Sequence, residues 1–134
     1  MILLDTCALI YVSQGEPVIE RAMEAIDTAA QSNGLHVSPI SAWEIGNLSS
    51  KGKLALTTDP LRFFKLFIEK TGAELCEMDC DLLIQSSFLP GQIHKDPMDR
   101  ILVATARKFD LTLVTRDRAI LAYGAAGYVN TLEC

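Results

Sequence analysis

The chain has 134 residues, of which 49% are hydrophobic, and its formal net charge at pH 7 is −5. This length can bury a substantial core, but charges interrupt the apolar runs before they reach the roughly 18–20 residues of a membrane span. The acidic balance argues against a broad basic surface for nucleic acid, so any such contact has to come from a few local cations.

Short apolar runs alternate with segments of helical periodicity. In chain order, the pattern predicts a strand over residues 2–4, a helix over 16–30, a strand over 35–37, helices over 38–48 and 60–68, a strand over 75–78, helices over 81–88 and 97–109, a strand over 111–114, a helix over 118–123 and a strand over 128–132. Strands that alternate with helices predict an α/β architecture with a mainly parallel sheet. No linker or repeat interrupts the pattern, so a single domain over residues 1–134 is expected, and the absence of an export signal favours a cytoplasmic location.

Carboxylates stand near the ends of the predicted elements. Asp5 directly follows the first strand, and Asp117 follows the fourth. Asp99 lies in the first turn of the helix before that fourth strand, and Glu44 lies in the first half of the helix after the second strand. Because ligand sites of open parallel sheets form at the carboxyl ends of strands, these acids are expected to converge. Crowded carboxylates raise one another's pKa unless a cation is present, and oxygen ligands suit Mg²⁺ or Mn²⁺.

An acid cluster with bound metal suits the hydrolysis of phosphodiesters. Asp5 and Asp99 are the expected primary ligands, and Thr115 is an expected orienting hydroxyl. Glu44 and Asp117 would complete a second metal position or hold bound waters. Each acid alone has a structural alternative, because acids at helix starts cap free amides and an aspartate after a strand is often a turn residue.

Four segments carry these acids in a specific order, namely residues 3–9, 38–45, 96–106 and 113–117. In order and spacing they resemble the PIN-domain family, and in particular its VapC-type toxins, with the third segment the closest likeness. The resemblance implies a PIN-like three-layer fold, with a central mainly parallel sheet flanked by helices. The acids that would match the family's metal-binding quartet around Mg²⁺ or Mn²⁺ are Asp5, Glu44, Asp99 and Asp117.

The activity that the resemblance implies is endonucleolytic cleavage of RNA, with tRNA or rRNA as possible substrates. The usual partner is a small antitoxin protein whose tail blocks the site, and a homodimer is common. Two alternatives stay open. One is a non-catalytic PIN-like scaffold that binds proteins. The other is a Mg²⁺ phosphatase, which is disfavoured because it would need a second acid or an amide two residues after Asp5, where Cys7 stands.

Several other side chains near the acids are candidates with structural alternatives. Arg100 is expected either to contact a phosphate or, as the slightly favoured alternative, to pair with a neighbouring acid. Arg116 is the better candidate for an RNA phosphate contact, with a plain surface charge as its alternative. The loop residues His94 and Lys95 are placed to approach RNA, but a general-base role for His94 is unnecessary if a metal activates the water. Asp96 most resembles a helix cap and is a second-tier site candidate.

Aromatic residues are interpreted mainly as core. Trp43 precedes the candidate glutamate and could stack on a base, but a partly buried core position is the favoured interpretation. The predicted helix with Phe63, Phe64 and Phe67 is apolar on more than one side, so it either packs fully inside or presents a patch to a partner.

Overall fold

A computed structural model describes residues 1–134 as one five-stranded sheet with seven helices. In chain order the elements are β1 (Ile2–Leu4), α1 (Thr6–Ser13), α2 (Glu20–Gln31), β2 (Leu35–Val37), α3 (Pro39–Ser50), α4 (Pro60–Thr71), β3 (Glu74–Leu75), α5 (Cys80–Gln85), α6 (Pro97–Phe109), β4 (Thr112–Thr115), α7 (Arg118–Ala125) and β5 (Thr131–Glu133). Every strand pair is parallel, which confirms the predicted α/β class.

The sheet has the strand order β3-β2-β1-β4-β5. The continuously apolar strand β1 lies in the middle of the sheet, and all three of its residues are buried. The chain winds outward from β1 through β2 to β3, then returns to the other side of β1 through β4 to β5. The strand order therefore reverses at β1, and the carboxyl ends of β1, β2 and β4 lie side by side. In open parallel sheets this reversal point is where ligands bind.

Two hydrophobic cores lie on opposite faces of the sheet, because successive side chains of a strand point in opposite directions. Leu4 packs in one core with residues of α1, α2, α3 and α4, such as Leu9. Leu3 packs in the other core with residues of α5, α6 and α7, such as Leu102. The expected three-layer arrangement, with helices on both faces of the sheet, is therefore confirmed.

Helix α1 was not among the predicted elements. Its eight residues are apolar on most sides, and buried Ala8, Leu9 and Ile10 face three successive directions, so the segment lacks the one-sided periodicity that identifies a surface helix. Helix α2 begins at Glu20, four residues later than predicted, and β3 covers only Glu74 and Leu75. The remaining helices and strands were predicted in place, with ends that differ by a few residues.

The structure corrects the expected burial of Trp43 and favours one of the two alternatives for the aromatic helix. Trp43 is 56% exposed, so the favoured core position was wrong. On α4, Phe64 and Phe67 are buried, whereas Phe63 lines an open groove with Val12 and other residues. The aromatic helix thus packs inside on one side only. No helix is long and apolar enough to span a membrane.

Candidate active site

Asp5 lies at the carboxyl end of the central strand and caps the helix that follows. Its Oδ1 accepts a hydrogen bond from the Ala8 amide at 2.7 Å, and its own amide donates to the Val114 carbonyl at 3.1 Å. The residue is therefore held through both its backbone and its side chain, and only 6% of it is exposed. Burial raises the pKa of the Asp5 carboxyl, while the Thr115 hydroxyl and the Ala8 amide oppose that rise by stabilising its charged form.

Glu44 reaches the same edge of the sheet from the second turn of α3. Its Oε1 accepts a hydrogen bond from the Thr6 hydroxyl at 2.6 Å, and that hydroxyl lies 2.9 Å from the hydroxyl of buried Ser41. Thr6 is the first residue of α1, so this pair of contacts ties α1 to α3. Burial raises the pKa of Glu44, with the Thr6 hydrogen bond opposing it.

Asp117 stands two residues beyond the end of β4 and caps α7. Its Oδ1 accepts from the Ile120 amide at 2.9 Å, and its own amide donates to the Thr115 hydroxyl at 3.0 Å. Thr115 is buried at the end of β4. Its hydroxyl accepts from the Asp117 amide and also lowers the pKa of the Asp5 carboxyl. The predicted orienting hydroxyl therefore lies between two of the acids.

Asp99 lies in the first turn of α6, where Asp96 is the cap. The Asp96 Oδ1 accepts from the amides of Met98 at 2.8 Å and of Asp99 at 3.3 Å. The expectation that Asp96 caps the helix is thus confirmed. Asp99 thus stands at the capped start of α6, where it comes close to the other acids.

The acids interact strongly enough to change the ionisation of Asp99. Its pKa rises from an ordinary value of 3.8 to about 7, first because of burial and then because of other carboxylates. These carboxylates, in decreasing order of effect, are Asp96, Asp117, Glu44 and Asp5. All four predicted site acids therefore belong to one electrostatic cluster. Such a cluster is unfavourable without a compensating cation, and its oxygen donors fit Mg²⁺ or Mn²⁺.

His94 joins this cluster from the loop before α6. Its Nε2 lies 3.1 Å from the Asp99 Oδ2 and 3.4 Å from the Asp117 Oδ1. Together these three side chains form a group whose spacing could hold a metal ion. The sequence carries no signal for this contact beyond the position of His94 in the loop before the third acid, so sequence reasoning gave the imidazole no role at the centre of the site.

A family model described as the PIN domain matches residues 2–125. The chain belongs to the PIN-domain family. No curated protein matches it. The matched residues include every acid of the cluster, so the whole candidate site lies within the PIN domain.

Solved structures with the same fold include VapBC2, FitAcB and a complex described as toxin–antitoxin. VapBC2 from Rickettsia felis, bound to a DNA fragment from its promoter, has a TM-score of 0.72 and 17% identity, covering 99% of this chain and 98% of that one. A toxin–antitoxin complex from Klebsiella pneumoniae has a TM-score of 0.66 and 21% identity, covering 98% and 96%. FitAcB from Neisseria gonorrhoeae has a TM-score of 0.58 and 22% identity, with the same coverage. At these identities the likeness shows that the fold is shared.

The arginines predicted to contact substrate have specific partners in this PIN domain. Arg100 donates from Nε to the Ser86 carbonyl at 2.9 Å instead of pairing with an acid, so the favoured ion pair was wrong. Arg116 donates from Nε to the Cys134 carbonyl at 2.8 Å, and its guanidinium lies 4.0 Å from the centre of the Tyr11 ring. Much of the Arg116 guanidinium is therefore used within the fold, and its contact with RNA stays a prediction.

A small polar pocket lies beside the first turn of α6. Its lining consists of Ser86, Ser87, Lys95, Pro97 and Arg100. Two cations and two hydroxyl groups thus face a common surface within one helical turn of Asp99.

Proposed function

We propose that this PIN domain is a Mg²⁺- or Mn²⁺-dependent endoribonuclease that acts in the cytoplasm as the toxin of a toxin–antitoxin pair. The observation that carries the proposal is the convergence of four acids from four separate segments, with the Asp99 pKa raised to about 7 by burial and by the neighbouring carboxylates. A strongly perturbed carboxylate in a cluster of like charges is typical of a functional site. Membership of the PIN family supports a nuclease over other acid-dependent chemistry.

Each acid has a distinct part in the proposed chemistry. A bound divalent cation would lower the pKa of a water molecule and offset negative charge on the leaving oxygen. Asp5 and Asp99 are the proposed primary ligands, with Glu44 and Asp117 as further ligands or anchors for bound water. The hydrogen bond from Thr6 holds the Glu44 carboxylate, and the Ala8 amide holds that of Asp5, so both are oriented before substrate arrives.

The proposed substrate is RNA, with tRNA or rRNA as candidate classes. Because the net charge is −5, contact with the phosphate backbone has to come from a local patch. Lys95 and Arg100, in the pocket beside Asp99, are the best placed cations, and Arg116 is a further candidate. Trp43, exposed one residue before Glu44, is available to stack on an unpaired base.

The proposed partner is a small antitoxin protein, and a homodimer is the proposed assembly. Support for a protein partner comes from two structural neighbours, VapBC2 and a complex described as toxin–antitoxin, which share the fold over nearly their whole length. An open groove lined by Val12, Leu56, Phe63 and Leu66 offers apolar surface for a protein partner.

The nuclease proposal is tested by incubating the purified chain with total RNA in Mg²⁺, in Mn²⁺ and in EDTA. Asp5→Asn and Asp99→Asn should each lower cleavage at least about 100-fold, because each removes a charge that would hold the cation. Asp27→Asn is the matched control, since Asp27 is an exposed acid on α2 outside the cluster. Its cleavage should equal that of the unmodified chain.

Each other outcome of this experiment has a defined meaning. Fragments that persist undiminished in both site variants would point to a contaminating nuclease and contradict the assignment. Calorimetry with Mn²⁺ distinguishes the nuclease from the non-catalytic scaffold. A folded chain that binds Mn²⁺ but cleaves no RNA would favour the scaffold.

A further inference from the structure

We propose that His94 is a positioning residue of the acid cluster, whose Nε2–H group is shared by Asp99 and Asp117 and holds the two carboxylates side by side. In this arrangement one oxygen of each carboxylate faces the imidazole and the other oxygen of each remains available to a cation. The inference deepens the proposed function, because the cation it concerns is the one proposed for the nuclease.

The position of Nε2 is the first observation. This atom is buried and lies between the Asp99 Oδ2 at 3.1 Å and the Asp117 Oδ1 at 3.4 Å. No hydrogen bond is formed at Nε2 in this conformation, although both carboxylate oxygens lie within 4 Å of it. A protonated nitrogen between two carboxylate oxygens at these distances attracts both of them. The carboxylates come from different elements, so the imidazole is a bridge between the start of α6 and the start of α7.

The other ring nitrogen indicates where the proton is. The Asp96 amide donates to the His94 Nδ1 at 3.2 Å, and only an unprotonated ring nitrogen can accept a hydrogen bond. The neutral imidazole that accepts at Nδ1 carries its proton on Nε2. Asp96 therefore acts twice, since its side chain caps α6 and its backbone amide orients the imidazole. In this state Nε2 offers a proton to the carboxylates, not a lone pair to a metal.

The remaining contacts of Asp117 leave one oxygen free. Its Oδ1 already accepts from the Ile120 amide at 2.9 Å, and this is the same oxygen that faces His94. The Asp117 Oδ2 is thus the oxygen available to a cation, as is the Asp99 Oδ1, because the Asp99 Oδ2 faces the imidazole. Groups that orient metal-binding side chains in this way typically contribute 10- to 100-fold, by order of magnitude, to metal affinity.

The test is calorimetric titration of Mn²⁺ into the metal-free full chain and its variants. His94→Ala removes the ring, and His94→Phe keeps a ring of similar shape without a donor. Both should weaken Mn²⁺ binding about 10- to 100-fold. His94→Gln keeps an N–H donor near the position of Nε2 and should restore the affinity to within a few-fold of the unmodified chain. Gln92→Ala, an exposed position in the same loop, is the control and should leave affinity unchanged.

Two results with these variants would overturn the proposal. Unchanged or tighter Mn²⁺ binding in the folded Ala or Phe variant would mean that His94 does not help to hold the carboxylates. A Gln variant as weak as the Ala variant would instead indicate that the imidazole nitrogen binds the metal directly. Circular dichroism identifies the variants that fold. Two variants without a donor are included, so that the test can be read even if only one of them folds.

The experiment also separates this proposal from the nuclease proposal. An unmodified chain that binds Mn²⁺ with the predicted His94 dependence but cleaves no RNA would leave the role of His94 intact and contradict the nuclease. An unmodified chain that binds no Mn²⁺ would overturn both.

Discussion

At Asp99, burial and the charge of neighbouring carboxylates both raise the pKa of the side chain. Its side chain is 22% exposed, and four other carboxylates add to the effect of burial in raising its pKa to about 7. A carboxyl group that holds its proton up to neutral pH is unusual, because a solvated aspartate ionises near pH 4. The folded chain therefore binds a proton at Asp99 over a pH range in which the unfolded chain does not. The ionised cluster has a free-energy cost, which a bound cation would offset.

This difference predicts a pH-dependent stability in the metal-free protein. Because the folded pKa lies above the unfolded one, the stabilisation is present below about pH 4 and is lost as pH rises through about 7. Asp99→Asn has no proton to lose at this position. Between pH 5 and pH 8, the Tm of the unmodified chain in EDTA should therefore fall by about 3 °C or more relative to that of the variant.

Thermal unfolding monitored by circular dichroism measures this difference. Saturating Mn²⁺ should remove the loss of Tm in the unmodified chain and have little effect on Asp99→Asn. Asp27→Asn should follow the unmodified chain at every pH. Identical pH profiles for Asp99→Asn and the unmodified chain in EDTA would show that the cluster does not perturb Asp99.

At the scale of elements, two helices begin at site acids. Asp5 caps α1 and Asp117 caps α7, and each accepts an amide hydrogen bond on its Oδ1. A cap orients its carboxylate at the start of the helix, where the free amide groups favour negative charge. Since each helix follows a central strand, capping also places each carboxylate at the carboxyl edge of the sheet. The same hydrogen bond thus contributes to folding and to the geometry of the site.

Substitution of Asp117 can separate these two contributions. Asparagine is as good a cap as aspartate but carries no charge, so Asp117→Asn should keep the stability of the metal-free chain and lose affinity for Mn²⁺. Asp117→Ala should lose both, with a decrease of about 1 kcal/mol in the free energy of unfolding. Urea denaturation in EDTA, together with Mn²⁺ calorimetry, measures the two effects. Equal destabilisation by both substitutions would contradict the capping role.

Over the whole molecule, the chain and its proposed RNA substrate carry net charge of the same sign. The net charge is −5, and the acid cluster adds local negative potential to the place where a phosphate would be cleaved. Lys95 and Arg100 lie in one polar pocket beside that cluster, so attraction for RNA is expected to be local and to depend on a small number of phosphate contacts.

This arrangement predicts that the affinity for RNA depends only weakly on salt concentration, and that single substitutions can alter this dependence. In the Asp99→Asn background, which is expected to be inactive, Lys95→Ala should weaken binding to single-stranded RNA of any sequence, and should reduce the slope of log K against log salt by about 0.7. Lys65→Ala, an exposed lysine of α4, is the control and should leave both unchanged. Fluorescence anisotropy at several salt concentrations gives the slopes. A slope that responds equally to both lysines would mean that RNA binding is diffuse.

The sequence by itself determined the α/β class and most of the elements, and it predicted the four acids that the fold brings into one cluster. The apolar run of β1, the proline near the start of α6 and the aspartates after β1 and β4 are local features, and their physical effect depends on neighbours within a few residues. The sequence did not reveal α1, because a helix buried on most sides has no polar face to mark its period.

Only the tertiary structure decided which side chains share space. It brings distant segments into contact in two places: Arg100 bonds to the Ser86 carbonyl, and His94 lies between Asp99 and Asp117. It also decides that Trp43 is exposed. The order of strands brings the carboxyl ends of β1, β2 and β4 together, and the loop before α6 then approaches that edge. Periodicity and capping act over a few residues, whereas the contacts between these side chains depend on how the helices pack across the sheet.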